Sequence, residues 1–396
     1  MKQNLDISQN RNLLWLMAIA CGLCAGTNYY CQPLIGSIQE YFQVPEAQVA
    51  LTVTFAQVAY ALGLLFIVPL GDMVNKTKFI PLLMLMAAMG LLISALAEHI
   101  YLLWLGTIIA SLFSVAAQVL IPLASMAVQP EKTGQVIGFL MSGLLVGILL
   151  STSLAGVFSA LWHWKAIYII SAILMLSLAY LLKTRLPEVK PLKLKYVDIF
   201  RSMGRLLQQE PRLVLRSLIG GCCFAAMSIL FSTIALLLAR PPFLLNDLWI
   251  GLVTLMGVFG AIASSALGRL ADRGYTQTLT RLGLILLLLS WGLLYGGSVF
   301  LISYIGGYAL IHLGLAMVHT ANQGIIFRLR PDAKSRINAI YMTTYFIGGA
   351  CGSALGVIAW QYGGWMMSCM VGVSLVMLAL CFALLDRRYI KPKHSA

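Results

Sequence analysis

Charge is what this chain has least of. Only 10% of its 396 residues are Asp, Glu, Lys or Arg, whereas 60% are hydrophobic and the mean hydropathy is +0.89. So few charges cannot cover a body of this size in water, which excludes a soluble globule. Acidic residues are the scarcest, 13 against 27 Lys and Arg, and none falls in the middle of an apolar run; Glu40, Glu98 and Asp247 sit at run ends. No Gly-x-Ser-x-Gly, His-Glu-x-x-His or P-loop occurs, and no long polar stretch could fold as a separate catalytic domain. An integral-membrane enzyme and direct use of ATP are therefore disfavoured. The eight cysteines lie in apolar runs, and the one Cys-x-x-Cys, Cys21 and Cys24, has no second pair or nearby histidine. They read as small buried hydrophobes and form neither a disulfide framework nor a metal site. No metal or cofactor is implied.

What is present is apolar sequence in lengths that fit a bilayer. A hydrocarbon core about 30 Å thick needs about 20 apolar residues in a helix. Twelve segments meet that need: 13–39, 48–70, 79–97, 101–127, 136–160 and 165–183, then 214–239, 249–270, 281–301, 303–327, 337–360 and 365–385. The first is too long for a signal peptide and polar in its middle, which suits a retained helix. The fold class expected is all-α integral membrane, with twelve transmembrane helices.

The net charge of +14 matters through its distribution and does not point to nucleic acid. With the N-terminus in the cytoplasm, only Lys165 and Arg240 of the 27 Lys and Arg fall on the outer side. The positive-inside rule then places both termini in the cytoplasm. The stretch from Lys183 to Arg216 carries nine of the 27 and divides the chain. The domains expected are 1–185, a six-helix bundle; 186–213, a basic cytoplasmic linker; and 214–396, a second six-helix bundle. Inside the linker, Ile199, Phe200, Met203, Leu206 and Leu207 share one face with Arg201 and Arg205 elsewhere, the pattern of a basic amphipathic helix on an anionic membrane surface.

The second half repeats the first at a shift of 200 to 201 residues: Leu70-Gly71-Asp72 returns as Leu270-Ala271-Asp272, Pro130-Glu131 as Pro331-Asp332, Gly147 as Gly348 and Trp164 as Trp365. Two pseudo-symmetric six-helix halves joined by a basic loop resemble the major facilitator superfamily. GRLADRG, from Gly268 to Gly274, resembles that superfamily's cytoplasmic loop signature, and VPLGDMVNKTK, from Val68 to Lys78, is a degraded copy. The resemblance implies a conformational latch at Asp72, Gly268, Asp272 and Arg273. The fifth segment, with Gly138, Gly147, Ser151 and Gly156, is similar to the glycine-rich motif of superfamily antiporters; small residues at this spacing also serve plain close packing. NYYCQPL (Asn28 to Leu34), Gln57 with Tyr60, and RPDAKSRINAIYMTTYFIGG (Arg330 to Gly349) resemble a bacterial branch near the drug–proton antiporters. Two departures stand out: His312 occupies the tenth segment where that branch tends to carry an aspartate, and the fourth segment has no arginine.

Polar content sorts the segments. The third, sixth, ninth and twelfth carry little beyond isolated Ser or Tyr, so they should face lipid; the other eight should enclose a wet path. Inward candidates for substrate binding are Asn28, Tyr29 and Gln32 in the first segment, Gln57 and Tyr60 in the second, and Gln118 in the fourth. In the seventh they are Ser228, Phe231 and Ser232, and in the eleventh Asn338, Tyr341, Thr344 and Tyr345. Each is also open to a role in helix–helix hydrogen bonding. His312 and His319 are the ionisable groups at depth, seven residues apart on one helix face, and are candidates for proton coupling.

The function expected is secondary active transport by alternating access, exporting neutral or amphipathic small molecules in exchange for protons. A uniporter or importer of a small uncharged solute such as a sugar, and a non-transporting receptor on the same fold, remain alternatives. The expected partners are the small-molecule substrate, protons and membrane lipids, with the chain a monomer in a bacterial cytoplasmic (inner) membrane.

Overall fold

The computed structural model describes residues 7–129, 132–187, 196–330 and 333–389, and every regular element among them is helical. In chain order the α-helices are α1 (Arg11–Gly26), α2 (Ile35–Phe42), α3 (Glu46–Leu62), α4 (Lys76–Ala95), α5 (Ile100–Phe113), α6 (Ala116–Met126), α7 (Thr133–Leu161) and α8 (Ala166–Arg185). There follow α9 (Tyr196–Gln209), α10 (Pro211–Leu238), α11 (Asp247–Thr254), α12 (Val258–Asp272), α13 (Thr276–Gly296), α14 (Leu301–Leu329) and α15 (Lys334–Asp386). Asparagine side chains start three of them: Asn10 accepts from the Leu13 amide, Asn75 from Thr77 and Asn246 from Trp249, each relieving an orphan N–H of a first turn.

Among the described residues, nine helices are long and apolar enough to cross a membrane. Local features account for the expected segments that are not separate long helices. The first breaks after Gly26 into a 3-10 turn, Thr27–Tyr29, and resumes at Ile35. Pro33 sits in that break, where it removes a donor from the ladder. The eighth changes to a 3-10 turn at Leu255–Gly257 between α11 and α12. The last two are fused in α15 across Gly363 and Gly364, and Gly364 adopts φ +60° and ψ −149°, which glycine reaches far more readily than other residues.

The chain forms two compact units. One is built from Met1–Tyr196 and Ile234–Leu255, the other from Val197–Thr233 and Met256–Ala396, so α10 contributes to both. In the first, α4 packs on α5 and α8, and α7 packs on α1 and α11; in the second, α14 packs on α12 and α13. Glycines set the tightest of these approaches. A Cβ on Gly147 would lie 2.2 Å from Gly22 Cα, and one on Gly156 would lie 2.3 Å from the Asp247 carbonyl oxygen. In the second unit a Cβ on Gly348 would lie 2.2 Å from the Gly221 carbonyl oxygen. Gly147 and Gly348 occupy equivalent places in the sequence repeat and each meets a glycine, so the repeat is carried into packing.

Helix α9 forms where the amphipathic stretch predicts one, but its apolar face does not lie free for lipid. Ile199, Met203 and Leu206 are buried against protein, while Leu207 and Val197 stay exposed. Arg336 donates to the Ser202 hydroxyl and ties α15 to this helix. Residues 188–195 of the expected linker lie outside the described residues, as do Pro130, Glu131, Pro331 and Asp332. Leu82, Leu85 and Met89 form an exposed apolar stripe on α4, as do Leu282, Ile285 and Leu289 on α13. Helix α7 carries such a stripe too, at Val146, Leu150 and Leu154, beside its small-residue edge.

Candidate functional site

Each unit holds its own polar constellation inside apolar helices. In the first unit the unwound turn after α1 presents Asn28 and Tyr29, with Gln32 just beyond, and all three are buried. Asn28 Nδ2 donates to Ser114 Oγ at 3.3 Å and to the Ala25 carbonyl at 3.2 Å. Gln57 and Tyr60 lie one turn apart on α3, both buried, and Gln118 Nε2 reaches the Tyr60 hydroxyl at 3.5 Å. Asn28 Oδ1 and Gln32 Nε2 are buried without a hydrogen-bond partner. An unmatched amide atom in such surroundings costs about 1–3 kcal/mol. A cavity of about 10 Å³ lined by Asn28, Thr52, Ser94, Thr107 and Ser111 lies within this unit; it holds one water at most and no cargo.

In the second unit the candidates divide by what they touch. Ser232 Oγ donates to the Ser353 carbonyl at 3.1 Å, fastening α10 to α15. Ser228 is buried beside Gly349. Phe231 meets Phe224 edge-on, and Phe224 stacks on Tyr345 with ring centres 4.1 Å apart. Thr344 bonds back to Ile340 O on its own helix, and Asn338 is half-buried. The two histidines differ. His312 Nδ1 donates to the Tyr308 carbonyl on its own helix at 2.8 Å, whereas His319 Nδ1 lies 3.1 Å from the Tyr341 hydroxyl on the next helix. Tyr345 closes over the same imidazole, edge to face, at 5.1 Å.

Behind Tyr341 lies a buried charged group, one member of which, Arg216, closes the basic stretch of the sequence. Arg216 and Asp386 are fully buried and form an ion pair, and Arg212 Nε adds a second contact to the same carboxylate at 3.1 Å. Arg216 also donates to Thr280 Oγ1 at 2.9 Å, to Gln277 Oε1 at 3.2 Å and to Asn322 Oδ1 at 3.3 Å. Asn322 Nδ2 in turn reaches the Tyr341 hydroxyl at 3.4 Å. The structure thus brings Tyr341 and His319 together with Asn322, a turn below His319 in the sequence, and with Arg216 and Asp386, which were not among the expected site residues. A signal was there: Arg212 and Arg216 stand four apart at the head of one apolar run, and Asp386 closes another.

Other expected residues have different settings. Gly147, Ser151 and Gly156 lie in helix contacts, while nothing comes within 4 Å of a Cβ on Gly138. At one end of the first unit Asp247 accepts from Ser159 Oγ at 2.6 Å and from Ser37 Oγ, joining α11 to α7 and α2. Of the latch residues, the side chains of Asp72 and Asp272 lie outside the described residues; Arg273 is exposed at the end of α12 and Gly268 has open space around it. Five cysteines are buried as expected, but Cys351 and Cys381 are exposed on the helix surface.

Long apolar helices that bury amides, hydroxyls and a cancelled ion pair mark a multi-pass membrane protein. The model of the Major Facilitator Superfamily matches residues 17–353 and 241–396. The chain belongs to that superfamily; it is a transporter of small molecules and not an enzyme. It is 41% identical to the transporter YgaY of Escherichia coli (strain K12), over 93% of this chain and 94% of that one. It is 24% identical to the inner membrane transport protein YnfM of the same organism, over 94% and 90%. Among solved structures, a bacterial homologue of the human lysosomal transporter Spinster superposes with a TM-score of 0.75 at 13% identity, covering 96% of this chain and 97% of that one, a likeness of fold.

Proposed function

We propose that the protein is a secondary active transporter of the drug–proton antiporter type, working by alternating access between two six-helix halves of a twelve-span chain. It exports neutral or amphipathic small molecules in exchange for protons, as a monomer in a bacterial inner membrane with both termini in the cytoplasm. One observation carries the cargo class. Each unit buries amides, hydroxyls and aromatic rings among apolar helices; of the cations buried among the described residues, Lys76 stands at the very start of α4 and Arg216, set among the polar groups of the second unit, is cancelled by Asp386. A phosphate or dicarboxylate carrier needs an uncancelled cationic clamp. The side chains assigned to cargo are Asn28, Tyr29, Gln32, Gln57 and Tyr60 in one half, with Gln118. In the other they are Phe231, Tyr341 and Tyr345. The latch role of Asp72, Gly268, Asp272 and Arg273 rests on their motif.

The test uses inside-out membrane vesicles, acidified by respiration and loaded with acridine orange. Two probes of matched shape are added: tetraphenylphosphonium, a lipophilic cation, and triphenylphosphine oxide, its neutral counterpart. Release of the dye's quenching by either probe, absent from vesicles lacking the protein, is the expected result. Probe counterflow without any proton movement would mark a uniporter and overturn the exchange reading.

A further inference from the structure

An arginine at one end of a hydrogen-bonded chain fixes the direction in which the chain runs. A guanidinium has donors only. Asn322 must therefore turn Oδ1 toward Arg216 and Nδ2 toward the Tyr341 hydroxyl, as observed. The Tyr341 oxygen accepts from Asn322, and its own hydrogen is left to point at His319 Nδ1, 3.1 Å away. Every link donates toward the imidazole. The opposite arrangement, with Nδ1–H donating to Tyr341, would place donors on both sides of the tyrosine oxygen and leave its hydrogen without an acceptor in the chain.

The chain ends on the group suited to titrate near neutral pH. Tyr341 and Tyr345 on α15 face its ring; Cys223 and Arg216 on α10 lie beside Tyr341, with Arg212 and Asp386 beyond. Arg269 on α12 and Arg281 on α13, helices that also pack on α14, are exposed. His319 as a residue is half-buried. His312 has no such chain, because its Nδ1 is spent on a carbonyl of its own helix.

Resting on the proton-exchange reading above, we propose that His319 binds the transported proton and that Arg216, acting through Asn322 and Tyr341, is the positioning residue that holds Nδ1 as an acceptor. The proton adds to the Nδ1 lone pair while Nε2 keeps its hydrogen, and its departure restores the lone pair; no other covalent bond forms or breaks. With Nδ1 turned from acceptor to donor, the bond with Tyr341 must reverse, which places donors on both sides of the tyrosine oxygen and leaves the tyrosine hydrogen without an acceptor in the chain. A tie between α14 and α15 then depends on whether a proton is bound, which is what coupling requires.

The first test needs no cargo. Full-length protein in nanodiscs carries isotopically labelled histidine, and the ring nitrogens are read by NMR, with His319→Gln identifying the resonances. The expected ring is neutral with hydrogen on Nε2 and a bare Nδ1. Asn322→Asp is nearly isosteric and keeps the contact with Arg216, but its acceptor-only carboxylate takes the Tyr341 hydrogen. The His319 hydrogen should then move to Nδ1, with His99, His163 and His312 unchanged. A wild-type ring already protonated on Nδ1, or one that ignores Asn322→Asp, overturns the proposal. In the vesicle assay, His319→Gln and Asn322→Asp should each lower proton exchange by roughly ten-fold or more, with unchanged size-exclusion profiles and melting temperatures of the purified variants showing that they fold. Undiminished exchange in His319→Gln overturns the assignment of the proton. If the wild type moves no protons with either probe, the exchange reading fails, and with it the assignment of a transported proton.

Discussion

At the residue scale the buried pair of Arg216 and Asp386 carries unequal risk on its two sides. Asp386 has two cationic partners, Arg216 and the partly exposed Arg212, whereas the other acceptors around Arg216 are neutral. Removing the carboxylate strands a buried cation; removing Arg216 leaves the carboxylate its second arginine. A broken buried pair costs about 3–5 kcal/mol, so Asp386→Leu should approach that figure and Arg216→Met should cost less. The double variant, with no buried charge on either side, should recover much of the loss. Apparent melting temperatures of the purified protein in detergent decide it: if the arginine variant is the less stable single change, Arg212 does not support Asp386 as the geometry shows.

At the element scale, helix α7 contains its own control. A Cβ at Gly147 would meet Gly22 Cα at 2.2 Å, so Gly147→Ala must push two backbones apart and should cost about 1–3 kcal/mol. Gly138 lies on the same helix with open space, and Gly138→Ala should gain up to about 1 kcal/mol through helix propensity. Equal melting shifts would mean that α1 can move away freely. The same helices show what a linear sequence discloses. Their existence was legible because runs of about 20 apolar residues admit little else. The break at Pro33 was legible for a stereochemical reason, but the change at Leu255–Gly257 was not, since Thr254, Leu255 and Met256 carry no break signal. His319 and Tyr341 stood out as polar groups in apolar helices. Arg216 and Asp386 did not, because a charge near a run end is normally given to the headgroups. Only their meeting across 170 residues shows that they are core. The order of the two histidines also depended on the fold, since His319 has a cross-helix partner and His312 does not.

At the scale of the whole molecule, the usual relation between exposure and reactivity should be inverted. Leu85 is 43% exposed on α4, whereas Asn28, Gln57 and Tyr341 are 4% or less exposed. In water, a cysteine at Leu85 would be the easy target. In a bilayer the medium around α4 is hydrocarbon, which excludes a charged maleimide and also the thiolate that would attack it. The polar positions are closed in this structure, but a transporter by alternating access must open them to water in at least one state. With the eight native cysteines replaced, single cysteines at Asn28, Gln57 or Tyr341 should therefore label in intact membranes, faster when cargo or pH shifts the population. Cysteines at Leu85, and at Ile285 on the exposed stripe of α13, should stay unlabelled until the membrane is dissolved. Rates that simply follow exposure would show that water reaches the outside of these helices and not their interior, and the assignment of a polar path through the molecule would fall.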